Sequence, residues 1–430
     1  MNLTLTPAVL QGAVSAIPSK SDGHRKLICA ACSDKESFLP LQKPHCADIL
    51  ATMQCLKALG AVFTETEQGV LISPIQPHRQ WKKPLLDCNE SGSTFRFLLP
   101  VAMTFAEKAS FTGSGRLPER PIDALTCVME QHGVAFDAPT LPFTATGKLK
   151  GGTFELAGNV TSQYLSGLLM ALPHGTEDSV IHLTKPLESA AYVDLTCNVL
   201  RAFGAKIRQE TENGLPAYYI EGNQKLCVPD SLYVDGDWSN AAFFLVAGAI
   251  FAPVTVHGVY ADSTQGDKAI CEILRQAGAV VEQSADCVTV SAPKDGVLRA
   301  FSADMREIPD LLPILSVLAA YAKGETHLHH AARLRLKECD RLAETTKLLK
   351  NLGGDVTELE DALLIRGGAL QGGTVNGCND HRMVMSAAIA ALGCTHPVTV
   401  LGTEAVNKSY PAFFEDYQKL GGICRTAEEE

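Results

Sequence analysis

The stretch RLRLKECDRLAE sets Arg333, Arg335, Lys337 and Arg341 around Glu338, and IPDLLP sets Asp310 beside a proline at the head of an apolar run. Carboxyl groups held among guanidinium and ammonium groups can divide acid and base roles, while the cations bind carboxylate or phosphate through charge-assisted hydrogen bonds. Asp310 has a second reading, as a helix N-cap. Lys337 and Arg341 stand four apart, a like-charge spacing that weakens a helix unless carboxylates or a ligand compensate.

More cations and hydroxyls stand where apolar helices are expected to begin. They are Lys20, Ser21 and Arg25 in SKSDGHRKLICAAC, Ser93 and Arg96 in ESGSTFRFLLPVAMTF, and Thr161, Ser162 and Gln163 in TSQYLSGLLMALP. NDHRMVMSAAIAALG adds His381 and Arg382 behind Asn379 and Asp380, either of which reads as an N-cap. Helix starts expose unpaired N–H groups and favour anions. Arg382 is misplaced there by the dipole rule, so a cation in that position points to an anion that must be held. Arg116 and Arg120 in GSGRLPERPIDAL and Lys408 in AVNKSYPAFF extend the set. Together they suit a small substrate carrying several negative charges.

The elements that must position these groups recur. A glycine follows an amphipathic stretch and precedes a short alternating run at Gly60, Gly133, Gly204, Gly278, Gly353 and Gly421, at intervals of 68 to 75 residues. Each copy predicts an outer helix, a left-handed cap and a half-buried strand. The polar-headed apolar stretches alternate with these copies and predict buried inner helices, with DGDWSNAAFFLVAGAI and IPDLLPILSVLAAYA completing a set of six. The expected fold class is α/β, in two domains of three units: residues 18–234, and residues 1–17 with 235–430, the binding groups lining a cleft between them.

A chain of 430 residues is also too long for one ordinary core. Its net charge of −11 argues against nucleic acid or an acidic membrane surface as a partner, so an anionic ligand must be met by local cations. No window carries eighteen uncharged apolar residues and the start lacks a leader pattern, so a cytoplasmic, non-membrane protein is expected. The fourteen cysteines, mostly isolated in apolar runs, read as reduced core thiols. Cys29 and Cys32 form a CxxC with no second pair or histidine at zinc-ligand spacing, so no metal site is expected.

Taken in order, PSKSDGHR, GSTFR, RLPERPI, TSQYLSGLL, IPDLLP, RLRLKECDRL, NDHRMVM and NKSYP resemble the 5-enolpyruvylshikimate-3-phosphate synthases, or 3-phosphoshikimate 1-carboxyvinyltransferases, of the enolpyruvyl transferase family. The resemblance runs over almost the whole chain and implies two domains, each of three βαβαββ units. It implies transfer of the enolpyruvyl group of phosphoenolpyruvate to the 5-hydroxyl of shikimate-3-phosphate in aromatic amino-acid biosynthesis, with small-molecule substrates, no cofactor or metal, and a monomer. By the same resemblance, Lys20, Ser21, Arg25, Thr161, Ser162, Gln163, Ser189, Asp310 and Lys337 hold shikimate-3-phosphate. Lys20, Gly92, Arg120, Gln163, Arg341, Arg382 and Lys408 hold phosphoenolpyruvate. Asp310 accepts the proton, Glu338 donates one, and Lys20 assists.

Glu90 and Ser93 depart from the family's commoner residues, as do Gly23, Arg333 and Leu334. Two other readings compete. A sister transferase acting on UDP-N-acetylglucosamine carries a catalytic cysteine in a mobile loop, and GSGRLPERPID has none. An inactive module binding phosphorylated ligands would keep the cations but could lose Asp310 or Glu338, and both are present.

Overall fold

The computed structural model describes residues 1–76 and 83–427. The chain divides into two compact units, Pro18–Val234 and Met1–Ile17 with Asp235–Glu430.

Among the described residues, twelve α-helices alternate between two kinds. The inner ones are α1 (Lys20–Ala31), α3 (Gly92–Phe105), α5 (Ser162–Ala171), α7 (Trp238–Ile250), α9 (Leu312–Tyr321) and α11 (His381–Ala391). The outer ones are α2 (Ala47–Ala58), α4 (Asp123–Gln131), α6 (Ala190–Ala202), α8 (Ile270–Gln276), α10 (Arg341–Asn351) and α12 (Phe413–Lys419). Inner helices such as α7 and α9 are buried along nearly their whole length because they are apolar on every side. Each fully buried Leu, Ile or Phe on them contributes about 1.5–3 kcal/mol relative to exposure. Outer helices bury one face only.

All six repeat glycines follow outer helices with positive φ, from +81° at Gly204 to +107° at Gly421. At Gly204 an added Cβ would find its nearest neighbour at 3.9 Å, so the left-handed backbone and not crowding is what asks for glycine.

Among the described residues, five of the six sheets share one four-stranded plan: a parallel pair flanking an inner helix, then an antiparallel pair. Strands Leu85–Asp87 and Lys108–Thr112 run parallel around α3, for example, and Phe143–Gly147 and Val134–Phe136 complete that sheet. The units are not all contiguous in the chain. Strand Gly12–Ser15 runs parallel to Val254–His257 and supplies the first strand of the α7 sheet. Strand Asn2–Thr6 lies between Val398–Leu401 and Ile423–Thr426 and closes the α11 sheet. The α1 sheet keeps three strands, with Leu226 making only a single parallel bridge to Ser33. The βαβαββ plan is therefore contiguous around α3, α5 and α9, while the α7 and α11 sheets each borrow a strand from the N-terminus.

Among the described residues no helix is long and apolar enough to cross a membrane. All fourteen cysteines are free. Burial pushes the Cys29 thiol up to about 12 and raises that of Cys32, which disfavours the thiolate at both.

Candidate active-site clusters

Helix heads gather the polar groups in each unit, and side-chain caps fix where those heads begin. Ser19, Ser91, Thr161, Asp237 and Asp380 each accept a hydrogen bond from an amide in the first turn of α1, α3, α5, α7 and α11. The exception is α9. Its approach is a 3-10 turn, Pro309–Leu311, with no side-chain cap, and the acid in that turn is Asp310. The capping reading of Asp310 is thus excluded, and its carboxylate is directed elsewhere.

It bridges two arginines. Arg341 Nη1 donates to Asp310 Oδ1 at 2.7 Å, Arg382 Nη2 donates to Asp310 Oδ2 at 2.8 Å, and Lys337 Nζ stands 3.7 Å from Oδ1. Arg341 is 1% exposed and is engaged on every nitrogen, with Nη2 on Glu338 Oε2 and Nε on Asp380 Oδ2, both at 2.8 Å. Burial opposes its charge, but Asp380, Glu338 and Asp310 outweigh burial and keep the guanidinium protonated. Asp380 does two jobs: it caps α11 through the Arg382 amide at 2.9 Å and neutralises Arg341 from a fully buried position. Lys408 Nζ donates to the Asn379 carbonyl beside this cap.

Lys337 is extended and precedes α10, which starts at Arg341, so the four-residue spacing of like charges never lies on one helix. Arg333 and Arg335 leave the cluster. Arg333 donates to the Arg306 carbonyl at 2.7 Å, and Arg335 pairs with Asp340 and with Glu358 at 2.6 Å.

Asp380 as a counter-ion and Asp267 as a neighbour were missed in the sequence. Asp267 is fully buried and accepts from the Ser239 hydroxyl. Burial, with the nearby charge of Asp310, raises its carboxyl to about 7, against the opposing pull of Arg382 and Ser239. A capping acid two residues before Arg382 was a visible signal for the first. Nothing in the QGDKAI stretch marks the second.

In the other unit, α3 and α5 are held together at their heads. Arg96 Nη1 donates to Gln163 Oε1 at 2.8 Å, and Gln163 Nε2 donates to Ser93 Oγ at 3.0 Å. One turn further along α5, a Cβ at Gly167 would stand 2.3 Å from the Arg96 carbonyl oxygen, so only glycine permits this approach. Gly92 lies under two guanidiniums: a Cβ there would be 2.8 Å from Nη1 of Arg120 and 2.8 Å from Nη1 of Arg96. Gly92, Ser93, Arg96, Arg120 and Gln163 thus form one cationic group with a backbone floor. Arg116 pairs instead with Glu119 at 3.5 Å on the surface, and Glu90 packs its carboxylate where a Cβ of Gly115 would go.

Arg25 is buried within α1's neighbours, donating to Thr196 Oγ1 at 2.7 Å, the Ser21 carbonyl at 2.6 Å and the Tyr192 carbonyl at 2.9 Å. Burial lowers its guanidinium to about 10, partly offset by Asp22. Lys20 Nζ meets Asp48 Oδ2 at 2.8 Å. Thr161 caps α5 through the Gln163 amide at 3.3 Å, Ser162 is its first residue, and Ser189 begins α6 with a left-handed φ of +58°. Lys20 and Arg25 meet different neighbours, so α1 does not present one compact cationic group as α3 and α5 do.

The model of the EPSP synthase (3-phosphoshikimate 1-carboxyvinyltransferase) family matches residues 5–417. The 3-phosphoshikimate 1-carboxyvinyltransferase of Clostridium novyi (strain NT) is 40% identical over 433 residues, covering 98% of each chain. That of Clostridium acetobutylicum is 40% identical over 424 residues, covering 97% of each. An EPSP synthase structure from Acinetobacter baumannii superposes with a TM-score of 0.81 at 27% identity, over 99% of this chain and 100% of that one. The enolpyruvyl transferase NikO from Streptomyces tendae shares the fold, with a TM-score of 0.78 at 19% identity over 99% of each chain.

Proposed function

Because this chain belongs to the EPSP synthase family, we propose that it transfers the enolpyruvyl group of phosphoenolpyruvate to the 5-hydroxyl of shikimate-3-phosphate, and that the groups around Asp310 carry the proton traffic. The observation that carries this reading is the Asp310 carboxylate bridging Arg341 and Arg382 at 2.7 and 2.8 Å, with Glu338 on the same Arg341.

The reaction requires a proton leaving the 5-hydroxyl and another arriving at C3 of phosphoenolpyruvate as the new C–O bond forms at C2. Loss of the C3 proton then expels phosphate from the tetrahedral adduct. A carboxylate pinned by two guanidiniums is a weak base. The carboxylate or phosphate of phosphoenolpyruvate competes for Arg341, Arg382 and Lys408, which releases Asp310 and raises its basicity when the substrate is in place. Glu338, held through Arg341 in the same network, serves as proton donor.

In the other unit Gly92, Arg120 and Gln163 bind phosphoenolpyruvate, the first by leaving room for the Arg96 and Arg120 guanidiniums over the head of α3. Lys20, Ser21, Arg25, Thr161, Ser162, Gln163 and Ser189, with Lys337 and Asp310, hold shikimate-3-phosphate. Lys20 also contacts phosphoenolpyruvate. The balance of the reaction calls for neither cofactor nor metal. The enzyme acts as a monomer in this reading, and fourteen free cysteines fit a reducing cytoplasm.

The test is phosphate release from phosphoenolpyruvate with either acceptor. Release with shikimate-3-phosphate and not with UDP-N-acetylglucosamine is expected. The opposite pattern overturns the assignment.

A further inference from the structure

The run His327-Leu-His-His330 takes no part in the transfer chemistry, yet the sheet sets it against an acid. Strand Ser302–Asp304 runs parallel to Glu325–His329 with Asp304 opposite His329 in the register, and His330 follows at once. His330 adopts a left-handed φ of +57°, and this turns its ring back toward the strand pair. Its Nδ1 lies 2.9 Å from His329 Nδ1 and 3.0 Å from Asp304 Oδ2.

We propose that Asp304, His329 and His330 form a binding site for a divalent first-row transition ion, zinc above all. Among the described residues these three bring one ligand atom each within 4.8 Å of one another. Two imidazole nitrogens and a carboxylate oxygen are the donor set such ions prefer, with water completing a four-coordinate shell. Ligand atoms about 2.0–2.1 Å from a tetrahedral ion lie about 3.3 Å apart. The observed 2.9 and 3.0 Å separations need a few tenths of an ångström of opening, and the third, between His329 and Asp304, lies within 4.8 Å and closes toward the same value when an ion binds.

The two rings now point the same type of nitrogen at each other, which requires a hydrogen between them. An ion takes the place of that hydrogen, with both neutral rings carrying their proton on Nε2. Arg306 pairs with Asp304 through Nε and Nη2 and fixes the carboxylate's orientation. The same charge limits the site's affinity, so exchangeable binding is expected.

The whole chain titrated with zinc against a chromogenic chelator, and with cobalt followed in the visible spectrum, tests this. One equivalent is expected, with nitrogen and oxygen cobalt bands and no sulfur-to-metal charge transfer. His330→Asn tolerates the left-handed backbone while removing the imidazole, and should weaken binding by at least about tenfold with an unchanged circular dichroism spectrum. His329→Gln should do the same, and serves if the first variant misfolds. Cys127→Ser and Cys227→Ser, at the two exposed thiols, should leave the equivalent in place. No bound equivalent, binding indifferent to both histidine variants, or binding lost with the cysteines would each overturn the site.

Discussion

Asp310 and Arg341 meet at 2.7 Å across 31 positions of the chain, and the same guanidinium, 1% exposed, also holds Asp380. One buried cation therefore fixes the acid ahead of α9 to the cap of α11. Positioning of the reactive carboxylate and integrity of this core are coupled through Arg341. Substitutions here should be measured for both activity and stability, since the two effects separate by residue.

Asp310→Asn keeps size and removes the basic carboxylate. Turnover should fall by about 10²–10⁴-fold, the usual contribution of a positioned base. Single-turnover phosphate release measures it, with folding checked by urea midpoint. Near-normal turnover in a folded variant would remove Asp310 from the chemistry.

Arg341→Met should abolish activity and also cost stability. It leaves Asp380 buried at 0% exposure without its guanidinium, a loss of about 3–5 kcal/mol for breaking a buried pair. Adding Asp380→Asn should restore part of that loss by removing the stranded charge, though the mutated chain stays inactive. Urea unfolding of the two variants reads this directly. If the double variant is no more stable than the single one, Asp380 is not the stranded group.

The six glycine-capped outer helices and the apolar inner helices were legible because their periodicity is local: each cap needs only its own neighbours. That residues 1–17 belong with the second domain was legible, but the sheet each strand enters was not, since Asn2–Thr6 pairs with strands some four hundred positions away. The same limit governed the polar groups. Lys337, Glu338 and Arg341 could be read as one group from spacing, but Arg335 in the same run turns to Asp340 and Glu358 instead, a choice made by tertiary packing. Asp267 lies in an unremarkable turn and gains its meaning only from the burial and charges around it. The expectation that no metal site exists rested on linear spacing alone, and the proposed zinc site is what tests it. Asp304 and His329 become neighbours only through sheet register.

Gly92→Ala should weaken phosphoenolpyruvate binding more than it slows turnover. The new methyl would stand 2.8 Å from Nη1 of both Arg120 and Arg96, so one guanidinium or both must swing away. Losing one charge-assisted contact costs about 1.5–3 kcal/mol, or roughly ten- to a hundredfold in KM. Guanidinium ends are flexible, so stability should change by less than about 1 kcal/mol. Steady-state kinetics over phosphoenolpyruvate concentration decides it: an unchanged KM would mean that these arginines do not meet that substrate.

Asp267 should make stability fall as pH rises. Its carboxyl is raised to about 7 in the folded protein, first by burial and then by Asp310, against a value near 3.8 when free. Between about pH 4 and pH 7 the folded chain therefore keeps a proton that the unfolded chain has released, and each unit of pH costs up to about 1.4 kcal/mol of stability from this group. Below that window both states are protonated, and above it both are ionised, so the dependence flattens at each end. Asp237, Asp310, Arg382 and the Ser239 hydroxyl also act on Asp267, so the comparison must isolate one group. Asp267→Asn does so, keeping a hydrogen-bonding amide toward Ser239 without a titratable proton. Urea unfolding of both proteins from pH 4.5 to 8.5 should show the native chain losing stability relative to the variant up to about pH 7, then running parallel to it. Curves parallel over the whole range would show that Asp267 is ionised throughout and that the neighbouring arginine outweighs its burial.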